Sequence, residues 1–142
     1  MPVASFQKFN SFVEALAEKT HNLGADALKV MLTNTAPVAT NTKYSDISST
    51  ELASGGGYTT GGMTPTISSS AQTSGLYKLI LADIVWTATA SMGPFRYAVL
   101  YNNTATNKEL IGWWDNAASV TLNSGESFTV DYDGTQGVIQ LQ

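Results

Sequence analysis

One histidine, His21, and no cysteine occur in the 142 residues. Acid–base or nucleophilic chemistry would have to run through that histidine or through carboxylates. A Ser-His-Asp arrangement needs the histidine beside a nucleophile, and no nucleophile motif accompanies His21. It falls near the end of a predicted helix, where a cation favours the dipole, so a surface helix position is expected for it. A zinc centre is disfavoured, because every further ligand would have to be a carboxylate.

The acids offer two patterns. Asp131 and Asp133 with Gly134 look like a piece of a calcium loop, but the D-x-[DN]-x-[DN]-G spacing with its distant Glu is absent. A turn is the expected role for this Asp-Gly pair; a weak divalent-cation site at a subunit contact is the alternative. Glu109, Asp115 and Glu126 are the residue types of a glycosidase pair, which needs two carboxyls about 5–10 Å apart. Nothing in their spacing selects two of them. Gly55-Gly56-Gly57 and Gly61-Gly62 lack the Lys-Ser/Thr of a phosphate loop and read as flexible hinges. No catalytic, cofactor-binding or metal-ligating residue is expected.

Aromatic residues carry the remaining chemistry. Trp113 and Trp114 are adjacent, so on a strand they face opposite ways. An exposed Trp beside Tyr97 or Tyr101 would stack on a sugar or dock on a protein. Covered by the N-terminal helix or another strand, it would be core. Phe6 and Phe9 are a second candidate contact. The expected interaction surface is therefore Phe6, Phe9, Tyr97, Tyr101, Trp113 and Trp114.

These side chains need elements to place them. Phe6, Phe9, Phe12, Val13, Leu16 and Leu23 recur at three- and four-residue steps, which predicts an amphipathic helix over 6–24. Ser5 would be its N-cap and Gly24 its C′ residue. Its stripe would cover an open face of the β core or dock on a partner. Ser48 and Glu51 have capping-box spacing, and Ile47 and Leu52 flank them as a staple, so a short internal helix ending at Gly55-Gly56-Gly57 is expected.

Alternating apolar residues predict strands at Leu28/Val30/Leu32, Tyr77/Leu79/Leu81 and Ile84/Trp86/Ala88. A wandering edge strand is expected around Met63, Pro65 and Ile67. Gly93-Pro94 would break the chain before about five further strands, with hairpin-type turns at Asn123-Ser124-Gly125 and Asp133-Gly134. The expected fold is mainly β: one domain over 1–142, with a jelly-roll-like β-sandwich over 28–142, the N-terminal helix and one short internal helix. A partly open barrel is the alternative.

Charged residues make up 13%, about half the usual roughly 25%. The net charge is −4 and Lys plus Arg number 7, which disfavours a nucleic-acid partner. No run reaches the about 18 apolar residues of a membrane span, and no signal peptide is expected.

Five stretches carry a resemblance: 8–24 (KFNSFVEALAEKTHNLG), 30–37 (VMLTNTAP), 98–107 (AVLYNNTATN), 110–115 (LIGWWD) and 125–134 (GESFTVDYDG). The chain resembles small structural proteins of tailed bacteriophages and prophages, and is similar in size and acidic β-rich character to capsid decoration, or cement, proteins. The resemblance implies a non-enzymatic virion component made in the bacterial cytoplasm. It would bind the major capsid protein on the capsid surface, as a homo-oligomer with a trimer favoured. A tail tube or fibre component is the rival within the resemblance. A carbohydrate- or receptor-binding β domain using Trp114 is the rival outside it.

Overall fold

A computed structural model describes residues 4–142; the Met1, Pro2 and Val3 of the expected domain lie outside the described residues. In chain order the elements are β1 (Gln7–Lys8), α1 (Phe12–Ala17), β2 (Leu28–Thr33), β3 (Ile67–Thr73), β4 (Leu76–Leu81), β5 (Ile84–Thr87), β6 (Met92–Asn102), β7 (Leu110–Leu122), β8 (Ser127–Val130) and β9 (Ile139–Leu141). Two single 3-10 turns lie between β2 and β3, at Tyr44–Asp46 and Ser48–Thr50. The fold is mainly β, as expected. Three antiparallel sheets form, in the orders β1-β7-β6-β2, β3-β4-β9 and β5-β8.

The amphipathic helix expected over 6–24 shrinks to six residues. A three-residue spacing puts Phe6 and Phe9 on one face of a helix but on opposite faces of a strand. Here the chain is a strand: Gln7 pairs with Trp113 and Lys8 with Gly112. Phe6 thus reaches Trp114, and Phe9 reaches Trp113 on the other side. The helix ends well before Gly24. Lys19 takes φ 68°, and Lys19 N and Thr20 N donate to Leu16 O and Ala15 O, the two hydrogen bonds of a Schellman cap. Ser11, not Ser5, occupies the N-cap, and its side chain makes no cap hydrogen bond.

The C-terminal part has four strands rather than five. β7 runs through 13 residues and joins two expected strands. Gly93-Pro94 does not break the chain either. It sits inside β6 as a cis peptide, where Met92 pairs with Leu122 and Phe95 with Val120, so the pair forms a bulge. The expected hairpin turns are crossings: β8 pairs with β5, and β9 with β4. The two-residue hairpin that does form is β3 to β4, through Ser74 (φ 52°) and Gly75 (φ 82°). β3 lies at a sheet end, as the edge-strand reading requires, but the edge runs over residues 67–73 rather than from Met63.

Two apolar clusters sandwich the four-stranded sheet. The larger joins Val30, Leu100 and Trp114 of that sheet to Leu79, Trp86 and Phe128 of the other two. The smaller, on the opposite face, gathers Phe9, Met31, Val99, Tyr101 and Leu110 under Ile47 and Tyr44. β2 is therefore buried on both faces, where alternation predicted one polar face. β7 serves both clusters because it gains a residue: Gly112 pairs with Leu100 but Leu110 with Tyr101. That bulge lets Ile111 and Trp114 face the same core.

β2 ends its sheet, so its outer backbone groups need partners. Met63 exchanges hydrogen bonds with Val30, Leu52 N donates to Leu32 O, and Leu32 N donates to Tyr58 Oη. The segment that supplies them is the one expected to be a short helix. Instead of a capping box, Glu51 collects three donors: Tyr58 Oη at 2.6 Å, Gly61 N at 2.6 Å, and Tyr44 Oη. Tyr101 Oη closes the set on Gly61 O at 2.6 Å. Burial, and then the hydrogen bond to Glu51, raise the pKa values of Tyr44 and Tyr58; burial pushes Tyr101 up to about 12. Gly56, Gly57 and Gly62 are points of close backbone approach rather than hinges. Gly62 holds φ 81°, and a Cβ there would overlap the Val30 carbonyl.

Glu51→Ala removes an acceptor shared by two hydroxyls and an amide, and should cost about 2–3 kcal/mol; urea unfolding at neutral pH reads it, and an unchanged midpoint would refute the role. Lys19→Gly relieves a left-handed residue and should add about 1 kcal/mol in the same assay.

Candidate functional site

The six aromatic candidates divide by burial. Phe9, Tyr101 and Trp114 are 0%, 1% and 6% exposed. They are core residues, which corrects the expectation that they form a surface, and Trp114 is withdrawn from any sugar by Phe6 and Tyr132, whose rings lie 5.2 and 5.4 Å away. Phe6, Tyr97 and Trp113 remain half-buried. The two tryptophans do face opposite sides, Trp113 stacking on Phe9 at 4.6 Å. Tyr97 lies under the Arg96 guanidinium, 5.3 Å from its ring centre.

Three of the acids, Asp115, Glu126 and Asp133, have separate partners. Asp115 takes both arms of Arg96, at 2.7 and 2.9 Å. Glu126 accepts Asn123 N at 2.9 Å and closes the turn before β8. Asp133 accepts the amides of Thr135 and Gln136 at 2.8 and 2.7 Å, and those two hydrogen bonds hold its carboxyl below the usual range. Among the described residues, no group of three or more His, Asp or Glu is placed to hold a metal ion.

His21 departs most from expectation. It is 5% exposed and follows the Schellman cap instead of riding the helix surface. The Asn102 amide nitrogen lies 3.0 Å from His21 Nδ1 and 2.6 Å from Asp26 Oδ2. That nitrogen can only donate, so Nδ1 must accept and Nε2 must carry the proton. Asn102 cannot turn over, because its oxygen accepts Thr104 N and Ala105 N at 2.9 and 3.2 Å. The Phe12 ring, 5.5 Å away, covers the imidazole. Burial lowers the histidine pKa, against the pull of Glu109 and Asp26. Nε2 and the nearby Glu109 Oε2 are buried with no hydrogen-bond partner among the described groups. The nearby hydroxyl of Ser70 is bonded to Tyr77 Oη at 2.8 Å.

What the fold leaves open is a trough. Its middle, about 440 Å³, is lined by Phe6 and Lys8, by Val13 and Leu16 of α1, and by residues 138–141. Leu16 and Leu141 continue into a depression lined by Lys19, His21, Ser70 and Tyr77. Phe6 and Val138 continue the other way, to Asp131 and Asp133. Gly112 makes room for the Phe6 ring, which a Cβ there would strike. Val13 and Leu141, 51% and 39% exposed, are two of four large exposed hydrophobics among the described residues. Both bordering strands, β1 and β9, end their sheets. Sequence periodicity missed this site, because it joins the two ends of the chain; the signal available was apolar residues at both termini.

Since burial holds the folded His21 neutral and lowers its pKa below the usual value for histidine, its contribution to stability is present above about pH 6.5 and declines as pH falls below that value toward the folded pKa. Urea unfolding at pH 7.5 and 5.5 should show a loss that His21→Gln shortens; equal losses in the two proteins would refute it. Comparison of the chain with known family models, curated proteins and solved structures finds no match.

Proposed function

We propose that this chain is a non-enzymatic virion structural protein of a tailed phage, acting by binding as a capsid decoration protein. Its partner would be the major capsid protein lattice, and it would bind the capsid surface as a homo-oligomer and brace the head. The observation that carries this reading is the trough: an exposed apolar surface between two open sheet edges. Exposed apolar patches with a polar rim suit protein contacts. Asp115, Glu126, Asp133 and Glu51 are meanwhile engaged in an ion pair, two turns and the seal on β2. The five stretches that resemble phage structural proteins support the same reading. So does a two-layer packing about the larger cluster, which we read as a sandwich of jelly-roll kind.

A sugar-binding reading loses its main support with Trp114 buried; Trp113 and Tyr97 would have to replace it. The test is binding of the purified protein to expanded capsids. Saturation at a stoichiometry matching lattice sites is expected, and a location confined to the tail would overturn the capsid assignment.

A further inference from the structure

Three features of the trough together specify an occupant. First, residues 138, 139, 140 and 141 all line it. Side chains of a strand alternate between faces, so four consecutive residues line one wall only where the free edge of the strand faces the opening. β9 has β4 on one side and no strand on the other. Second, the middle is apolar and exposed at Val13 and Leu141. Third, charge changes sign along the axis. Asp131 and Asp133 stand at one end, Lys8 in the middle and Lys19 at the other.

The ion pair between Arg96 and Asp115 is the single one among the described residues. Asp131, Lys8 and Lys19 therefore have no ionic partner among the described residues. The other charges at the two ends are engaged otherwise. Asp26, beside Lys19, accepts Asn22 N at 2.8 Å and the Asn102 amide. Lys78, near Asp133, donates to Thr135 O at 3.1 Å.

A surface that runs acid, apolar, base is complementary to itself when reversed. From this we infer that the trough is the contact between two copies of this chain, laid antiparallel about a two-fold axis. The free edge of β9 then meets β9 of the second copy, which joins two three-stranded sheets into one. Leu141 and Val13 bury against their counterparts, and Asp131 of each copy faces Lys19 of the other. An isologous contact of this kind uses one patch twice and closes on itself. It differs from the trimer that the family resemblance implies, whose contacts would be heterologous.

The mass of the purified full chain over a concentration series, by sedimentation velocity, tests this. A species of twice the 15.1 kDa protomer is expected. Leu141→Asp should weaken it at least about ten-fold while the near-UV spectrum of the tryptophans stays native, since that side chain is exposed. Lys19→Asp and Asp131→Lys should each weaken the dimer, and the double swap should restore it to within about three-fold. A monomer at all concentrations, a trimer, or a double swap with no recovery would overturn the contact. Capsid binding is read separately on particles, so failure of either idea leaves the other standing.

Discussion

A strand buried on both faces yet placed at the end of its sheet is the constraint from which most of this structure follows. β2 must present Val30 and Leu32 to the larger cluster and Met31 to the smaller one. Its outer amides and carbonyls would then lie against apolar surroundings without partners, which is costly. Residues 44–63 exist in their folded form to prevent that. They supply Met63 and Leu52 as backbone partners, the Tyr58 hydroxyl as a side-chain partner, and Glu51 as the acceptor that holds the segment closed. Gly62 is what allows the backbone close enough to bond.

The same molecule treats its two sheet ends differently. At β2 the edge is sealed by polar groups drawn from one continuous stretch. At β1 and β9 the edges stay open, with an apolar floor between them and a lysine on the rim. Edge strands invite pairing unless they are covered, and here the open edges lie beside an exposed valine and leucine. The groups that look reactive in isolation are engaged in holding the scaffold: Arg96 with Asp115, Glu126 and Asp133 in turns, and Asn102 between His21 and Asp26.

Legibility in the sequence followed range. Strands with a clean two-residue alternation, such as β4 and β5, stand where Leu79, Leu81, Ile84 and Trp86 place them. The N-terminal helix was misread because Phe6, Phe9 and Phe12 fit a helix stripe and a strand equally well until a neighbour decides. That neighbour is β7, more than a hundred residues away in sequence. Ser48 and Glu51 have the spacing of a capping box, yet Glu51 finds better donors in Tyr44, Tyr58 and Gly61 than in a helix N-terminus. His21 looked like a surface residue because its partner, Asn102, is 81 residues distant.

By itself the sequence determined that this is a mainly β chain, low in charge, acidic, and with Trp113 and Trp114 on opposite faces of one strand. Those properties are local or compositional, and side-chain alternation and residue type suffice for them. Only tertiary structure decided that Trp114 rather than Trp113 is core, that β2 is buried twice, that Gly56, Gly57 and Gly62 are points of close approach, and that both ends of the chain form one trough. Each depends on which strand lies beside which, and that choice rests on burying both faces of the central sheet at once, a condition no short window of sequence can state.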